Sequence, residues 1–224
     1  MTEPVRLTHS YSSMKQFENC PKRYYHQRIE KSVKDEGGEA SRHGEKVHKA
    51  LEDNVRDNTP LPSALRKYES VCAVVKEKSL GGELIPEIEM TLNEQLKPTG
   101  WWDSDAWIRS KLDVLITKGD KAVVLDWKTG KRRPDPFQLE LFSLQVFAHY
   151  EHIDKVYSSF VWLPDQTTDM VIHYRNEAAN LWGETMTRIK RIEDAQKHDN
   201  WPAKPSGLCN YCPCKSFCEY ANRR

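Results

Sequence analysis

The sequence predicts an α/β fold, with helices at both ends of the chain and strands in the middle, on three observations. Apolar residues recur at helical spacing over residues 41–57 and 65–80. Three strand-like segments follow between residues 86 and 127. A succession of helix, two strands and a long helix then runs from residue 135 to residue 198.

Taken in order, Ser10, Ser12 and Ser13 are candidate N-caps for a helix running toward Cys20, and Pro21 suits the first turn of a second helix through Tyr24, Tyr25 and Ile29. Residues 31–38 read as a charged loop. Val47, Ala50, Leu51 and Val55 form the apolar face of the helix over 41–57, and Tyr68, Val71, Cys72 and Val75 that of the helix over 65–80. Residues 86–92 alternate, 106–117 have strand character, and 121–127 form a short apolar run entered through a Lys118-Gly119-Asp120 turn. Residues 135–150 return to helical period, 155–163 and 169–174 read as strands around a Pro164-Asp165 turn, and 176–198 form a long amphipathic helix. The tail from Asn200 is a Pro-rich loop that carries most of the cysteines.

Composition bounds the function. The chain has 224 residues, 38% hydrophobic and 30% charged, which suits one globular domain over residues 1–224. The N-terminus has no basic start followed by an apolar run, and no segment approaches the length of a bilayer span, so a cytoplasmic location without a membrane partner is expected. Lys plus Arg number 34 against 33 for Asp plus Glu, so net charge neither demands nor excludes a polyanionic partner.

The densest chemical signal lies in the middle of the chain, where SKLDVLITKGDKAVVLDWKTGK places Asp113 in one strand and Asp126 and Lys128 at the end of the next. Residues two apart on a strand face one side, so Asp126 and Lys128 share a space that Asp113 reaches from the neighbouring strand. Carboxylate oxygens suit hard cations such as Mg²⁺, and a lysine beside them suits orientation of water or stabilisation of developing charge. Isolated residues of these types more often form a solvated cross-strand ion pair. Here the apolar flanks, Leu112, Val114 and Leu115 on one strand and Val123, Val124 and Leu125 on the other, place the charges at the end of a buried sheet, where they need a ligand or a partner.

Asp126-Trp127-Lys128-Thr129-Gly130 resembles the D-[WY]-K-T-G signature of RecB-like PD-(D/E)XK nucleases. Gly44-Glu45-Lys46-Val47-His48 is similar to that family's G-x-x-x-H, Asp113 to the aspartate of its G-x-x-D strand, and Gln138 to the start of its Q-x-x-x-Y helix. Two positions depart: Ser110 stands in place of Gly and Phe142 in place of Tyr, both with consequences expected for DNA contacts. The resemblance implies a restriction-endonuclease-like core, a central mixed sheet flanked by helices. It further implies that His48, Asp113, Asp126, the carbonyl of Trp127 and a glutamate from the preceding strand hold Mg²⁺ or Mn²⁺, with Lys128 positioning the attacking water. Glu87 and Glu89 share strand parity, so periodicity does not choose between them; the family pattern favours Glu87. His43 competes with His48 and does not fit the motif.

Six cysteines in a reducing compartment point away from disulfides, and Cys209, Cys212, Cys214 and Cys218 crowd into ten residues. Cys209, Cys212 and Cys218 form C-x2-C-x5-C, and Cys20 stands at the other end of the chain. This split resembles the iron–sulfur branch of the same family, which includes CRISPR-associated nucleases, and implies a 4Fe-4S cluster on Cys20, Cys209, Cys212 and Cys218. Four local thiols including Cys214 are the alternative, most simply for Zn²⁺. On the cluster reading, residues 1–30 and 199–224 form a terminal subdomain joined by the metal, and 40–198 the nuclease core.

Arg23, Tyr24, Tyr25 and Arg28 after Cys20, with Lys131, Arg132 and Arg133 after the D-x-K strand, suit phosphate neutralisation and base stacking. Solvated surface is the plain alternative for the cations, and a core contact for the tyrosines. By resemblance, the expected function is a DNA exonuclease on single-stranded or frayed ends in recombination, repair or CRISPR adaptation. No P-loop is present, so unwinding would need a helicase partner. Two other classes compete: a non-catalytic iron–sulfur or zinc-stabilised DNA-binding subunit, and a zinc-dependent interaction protein.

Overall fold

A computed structural model describes residues 6–221 and divides the chain into two compact units, one built from residues 37–182 and one from the two chain ends, up to residue 36 and from residue 183. The terminal unit thus takes in most of the last helix, which the sequence places in the core.

The larger unit is a five-stranded mixed sheet flanked by helices. Strands β1 (Glu83–Leu92), β2 (Ile108–Lys118) and β3 (Lys121–Lys128) form an antiparallel meander; β3 runs parallel to β4 (Lys155–Trp162), which pairs antiparallel with β5 (Thr167–Tyr174). Lys118 pairs with Lys121, so Gly119 and Asp120 make a two-residue hairpin turn; Gly119 has φ +58°, which that turn requires and glycine meets without strain.

Helices α3 (Glu39–Asp57) and α4 (Glu69–Lys78) cover one face. Val47, Leu51 and Val55, four residues apart along α3, pack with Tyr68, Cys72 and Val75 against Val114, Ile116 and Trp127. The chain enters α4 through a 3₁₀ turn, Ser63–Tyr68, so the helix begins later than its apolar spacing suggests. The parallel β3–β4 pair needs a crossover, supplied by α5 (Pro136–His149) on the opposite face. Asp135 caps α5 by accepting from the Phe137 N–H, and Pro136 occupies its first turn. Ten of the eleven residues from Phe137 to Phe147, all but Glu140, are buried, so α5 is a core helix without a solvent face.

Strict alternation fails at one place. Ile85 and Ile88 on β1, and Leu112 and Leu115 on β2, all join the α5-side cluster although each pair is three residues apart. The slip centres on Glu87, whose φ of +55° is the left-handed region inside a strand, while the register with β2 continues unbroken on either side. Pro86 precedes it and lacks an N–H, which the edge position of β1 tolerates.

In the terminal unit, Ser10 caps α1 (Tyr11–Asn19) in a capping box with Ser13. Pro21 opens α2 (Pro21–Tyr24), which passes into a π-helical turn, Tyr25–Ile29, where a continuous α-helix is expected from sequence. The long helix α6 (Ala178–Lys197) contributes from residue 183 onward. Tyr24, 1% exposed, stacks on Trp201 and meets Phe17 edge-on. The Lys22 N–H donates to the Pro202 carbonyl at 3.3 Å, Lys204 to the Glu18 carbonyl at 2.8 Å, and Arg188 pairs with Glu18. These contacts join the chain ends. Among the described residues no helix is long and apolar enough to cross a membrane.

Leu51 is fully buried between α4 and the sheet, whereas Val74 is half exposed on α4. Leu51→Ala is expected to destabilise the protein by about 2–5 kcal/mol, and Val74→Ala by under about 1 kcal/mol, in urea unfolding of the two variants side by side.

Candidate metal and active site

The site forms where β2 and β3 part. Their pairing ends at Val114 opposite Leu125, yet β3 continues along β4 as far as Lys128. The Trp127 N–H donates to Asp113 Oδ2 at 2.6 Å. The other oxygen, Oδ1, lies 3.2 Å from His48 Nδ1 on α3. Glu87 opposes Asp113 from β1, and one ligand atom from each of His48, Glu87 and Asp113 lies within 4.8 Å of the other two. Gly44, one turn before His48, brings α3 against the end of β3: a Cβ there would sit 3.2 Å from Thr129 Oγ1.

One imidazole nitrogen and two carboxylate oxygens from three different elements suit a divalent cation such as Mn²⁺ or Mg²⁺. Asp126 is not in that trio, and it lies in the neighbouring interior. It is 6% exposed, and its Oδ2 lies 2.7 Å from Lys128 Nζ without a hydrogen bond of good geometry. We therefore read that contact as an ion pair with acceptor capacity to spare. Asp126 Oδ1 accepts from Gln138 Nε2 at 2.8 Å, and Gln138 Oε1 accepts from Lys128 Nζ at 2.9 Å, so one amide on α5 ties the acid to the lysine.

The electrostatics follow from this crowding. Burial pushes the Asp126 carboxyl up to about 6; Lys128 opposes the shift and the Asp113 charge adds to it. Burial works against a charge on His48, but the hydrogen bond to Asp113 and the charges of Asp113, Asp126 and Glu87 outweigh it and raise its pKa. Lys111 is held above its ordinary range by its contact with Glu87, 2.5 Å away.

A model of the PD-(D/E)XK nuclease superfamily matches residues 8–219. The chain belongs to that superfamily. A crystal structure from Eubacterium rectale, provisionally described as an exonuclease, shares the fold with TM-score 0.54 at 15% identity, over 92% of this chain and 86% of that one. An alkaline exonuclease from Laribacter hongkongensis aligns with TM-score 0.30 at 9% identity, over 69% of this chain and 95% of that one. No curated protein matches the sequence. PD-(D/E)XK nucleases use divalent metals and act on DNA, so the mixed sheet, the D-W-K-T-G strand and the His-Glu-Asp cluster belong to one known architecture.

Within this PD-(D/E)XK chain some sequence expectations change. Tyr24, expected to touch DNA, is buried in the terminal unit and has no face free for a base. Gln138, also expected at DNA, is buried, with both ends of its amide spent on Asp126 and Lys128. Phe142 lies in the α5-side core, and the Ser110 hydroxyl accepts from Gln145, so neither departure from the family pattern contacts the metal cluster directly. Arg132 pairs with Asp169, Arg23 pairs with Asp35 and donates to Gln27, and Lys131 is exposed. Glu89 and His43 are exposed and outside the cluster. Sequence reasoning missed Lys111, although its place two residues before Asp113 put it on the same strand face.

In the terminal unit Cys20, Cys209, Cys212, Cys214 and Cys218 all line one cavity of about 40 Å³. The Ser206 N–H donates to Cys209 Sγ at 3.3 Å. Burial pushes the Cys214 thiol up to about 12, and Cys212 and Cys218 add to the shift. Cys72 is a core residue between α3 and α4.

With its pKa raised, Asp126 in the folded, metal-free protein keeps a proton that the unfolded chain releases at 3.8, so stability falls as pH rises from there to about 6 and the full cost remains above it. In EDTA, Asp126→Asn is expected to melt higher than wild type at about pH 7.5, with the gain shrinking as pH falls toward the unfolded-state value. A gain independent of pH in thermal melts would rule out burial of this charge as its source.

Proposed function

We propose that the protein hydrolyses DNA phosphodiester bonds with one or two Mg²⁺ or Mn²⁺ ions held by His48, Glu87, Asp113 and Asp126, with the Trp127 carbonyl as a further ligand. The observation that carries this reading is the convergence of His48, Glu87 and Asp113 to ligand distance from three separate elements. A bound divalent ion supplies Lewis-acid chemistry at the phosphate and acidifies water. His48 and Asp113 hold each other in place, and the Trp127 N–H fixes the second Asp113 oxygen, so the ligands are ordered before any ion arrives. Lys128, held by Gln138 and Asp126, presents its ammonium beside the acids, where it orients the attacking water and offsets the negative charge that develops.

An exonuclease acting on single-stranded or frayed ends is the mode we favour, supported by the similar fold of the Eubacterium rectale protein and its description. For the cysteines we propose a 4Fe-4S cluster on Cys20, Cys209, Cys212 and Cys218. Five thiols around one cavity support it.

End-labelled single- and double-stranded DNA incubated with Mn²⁺ or Mg²⁺ tests the chemistry. Wild type is expected to shorten the substrate, Lys128→Ala to lose about 10²–10³-fold in rate, and Asp126→Ala at least as much. Equal cleavage by all three proteins would remove these residues from the reaction. Iron and acid-labile sulfide in anaerobically purified protein test the cluster: Cys20→Ser is expected to lose both, and Cys214→Ala to keep both. Zinc in place of iron overturns the cluster assignment.

A further inference from the structure

The hairpin that carries Glu87 and Asp113 extends past the metal cluster into a loop, residues 93–107, that holds two indoles around one guanidinium. Arg109 on β2 lies under both Trp101 and Trp102, with its guanidinium carbon 5.3 and 5.4 Å from the ring centroids. It makes no ion pair among the described residues, and its Nε is buried without a hydrogen-bond partner. Trp102 is 84% exposed, the most exposed tryptophan among the large hydrophobic residues at the surface. Such exposure is costly for an indole, and this loop is not loose. Asp103 accepts from Thr99 and from the Gly100 N–H, Asp105 accepts from Thr99 and Asn93, and the backbone closes with Asn93 N–H to the Lys97 carbonyl and Trp107 N–H to the Leu92 carbonyl. Asp103 and Asp105 are thus engaged within the loop, while the cation under the indoles makes no ion pair among the described residues.

Arg109, Lys111 and Asp113 alternate with the buried Ile108, Ser110 and Leu112, so the three share one face of the strand. Arg109 stands four residues from Asp113, about 13 Å along the strand. That is about four nucleotides of a stacked strand at ~3.4 Å each, and fewer of an extended one.

We propose that Trp102, with Trp101 and Arg109 beneath it, is a stacking platform for an unpaired nucleotide of the strand whose phosphodiester lies at the metal cluster: the indole takes a base, and the guanidinium a phosphate. The platform rests on the nuclease reading and makes it more specific, because it selects substrate with unstacked bases a few nucleotides from the cut and disfavours intact duplex. Base–aromatic contacts tolerate any sequence, so the platform fixes strand state and not base identity.

Fluorescence anisotropy in EDTA, with a labelled thymidine 12-mer and an abasic 12-mer of equal length, tests it on the full chain. Trp102→Ala is expected to bind the thymidine oligonucleotide about tenfold more weakly, in the lower half of the range for one stacked base, and the abasic one within about twofold of wild type. Trp102→Phe restores most of the loss, and Arg109→Gln weakens both. Trp102→Ala binding the thymidine strand as wild type does, or losing equally on both strands, overturns the platform, as does a wild type that binds neither. Wild type that binds with this base dependence but cuts nothing in Mn²⁺ or Mg²⁺ leaves the platform standing and removes the nuclease reading instead.

Discussion

A sheet strand whose neighbour departs leaves backbone donors with nowhere to go, and burying one unpaired costs about 1–3 kcal/mol. Beyond the pairing of Val114 with Leu125, the Trp127 N–H is in that position: β3 is bonded to β4 on one side, and its β2 partner has gone. The Asp113 carboxylate accepts that donor, and much else follows from it. One oxygen is anchored to the backbone, so the other is aimed at His48, and the fork between the strands gathers possible ligand atoms instead of leaving a defect.

Two further costs are concentrated at the same fork. Glu87 holds a left-handed backbone, worth of order 1–3 kcal/mol for a residue with a side chain, and Asp126 carries its carboxyl into the interior. Both are offset locally: Lys111 reaches Glu87, and Lys128 with Gln138 reaches Asp126. The apolar surroundings therefore do more than stabilise. Trp127 and Val114 on the α3 side and the α5 helix on the other exclude water from the flanks of the fork, so the charges interact through protein.

Much of this was legible in the sequence. The period-3.6 pattern marked α3 and the period-two pattern β3 because each buries regular faces, apolar content marked α5 and β2, and Asp-x-Lys at the end of an apolar strand marked the acids. Pattern reading failed where the fold departs from regularity. The parity slip at Glu87 belongs to two paired strands at once, and nothing in Pro86-Glu87-Ile88 announces a left-handed residue. Gln138 reads as a DNA-contacting amide at the start of a family motif, but α5 is buried all round and its side chain bonds with Asp126 and Lys128. Tyr24 looked like a base-stacking residue among cations; Trp201, far away in sequence, claims its ring. Such long-range claims leave no local trace.

The joining of Lys22 to Pro202, and the gathering of Cys20 with the four cysteines of the tail, also bears on how the chain is made. At ~5–20 residues per second, the ribosome needs roughly ten to forty seconds to travel from the first partner to the second. Throughout that interval the sheet unit is free to fold, while the leading helices wait without the aromatic ring and the thiols that complete their core. Cys20 is made at the start of that interval and the four tail cysteines at its end, so the cavity they line closes only after the sheet unit has been synthesised.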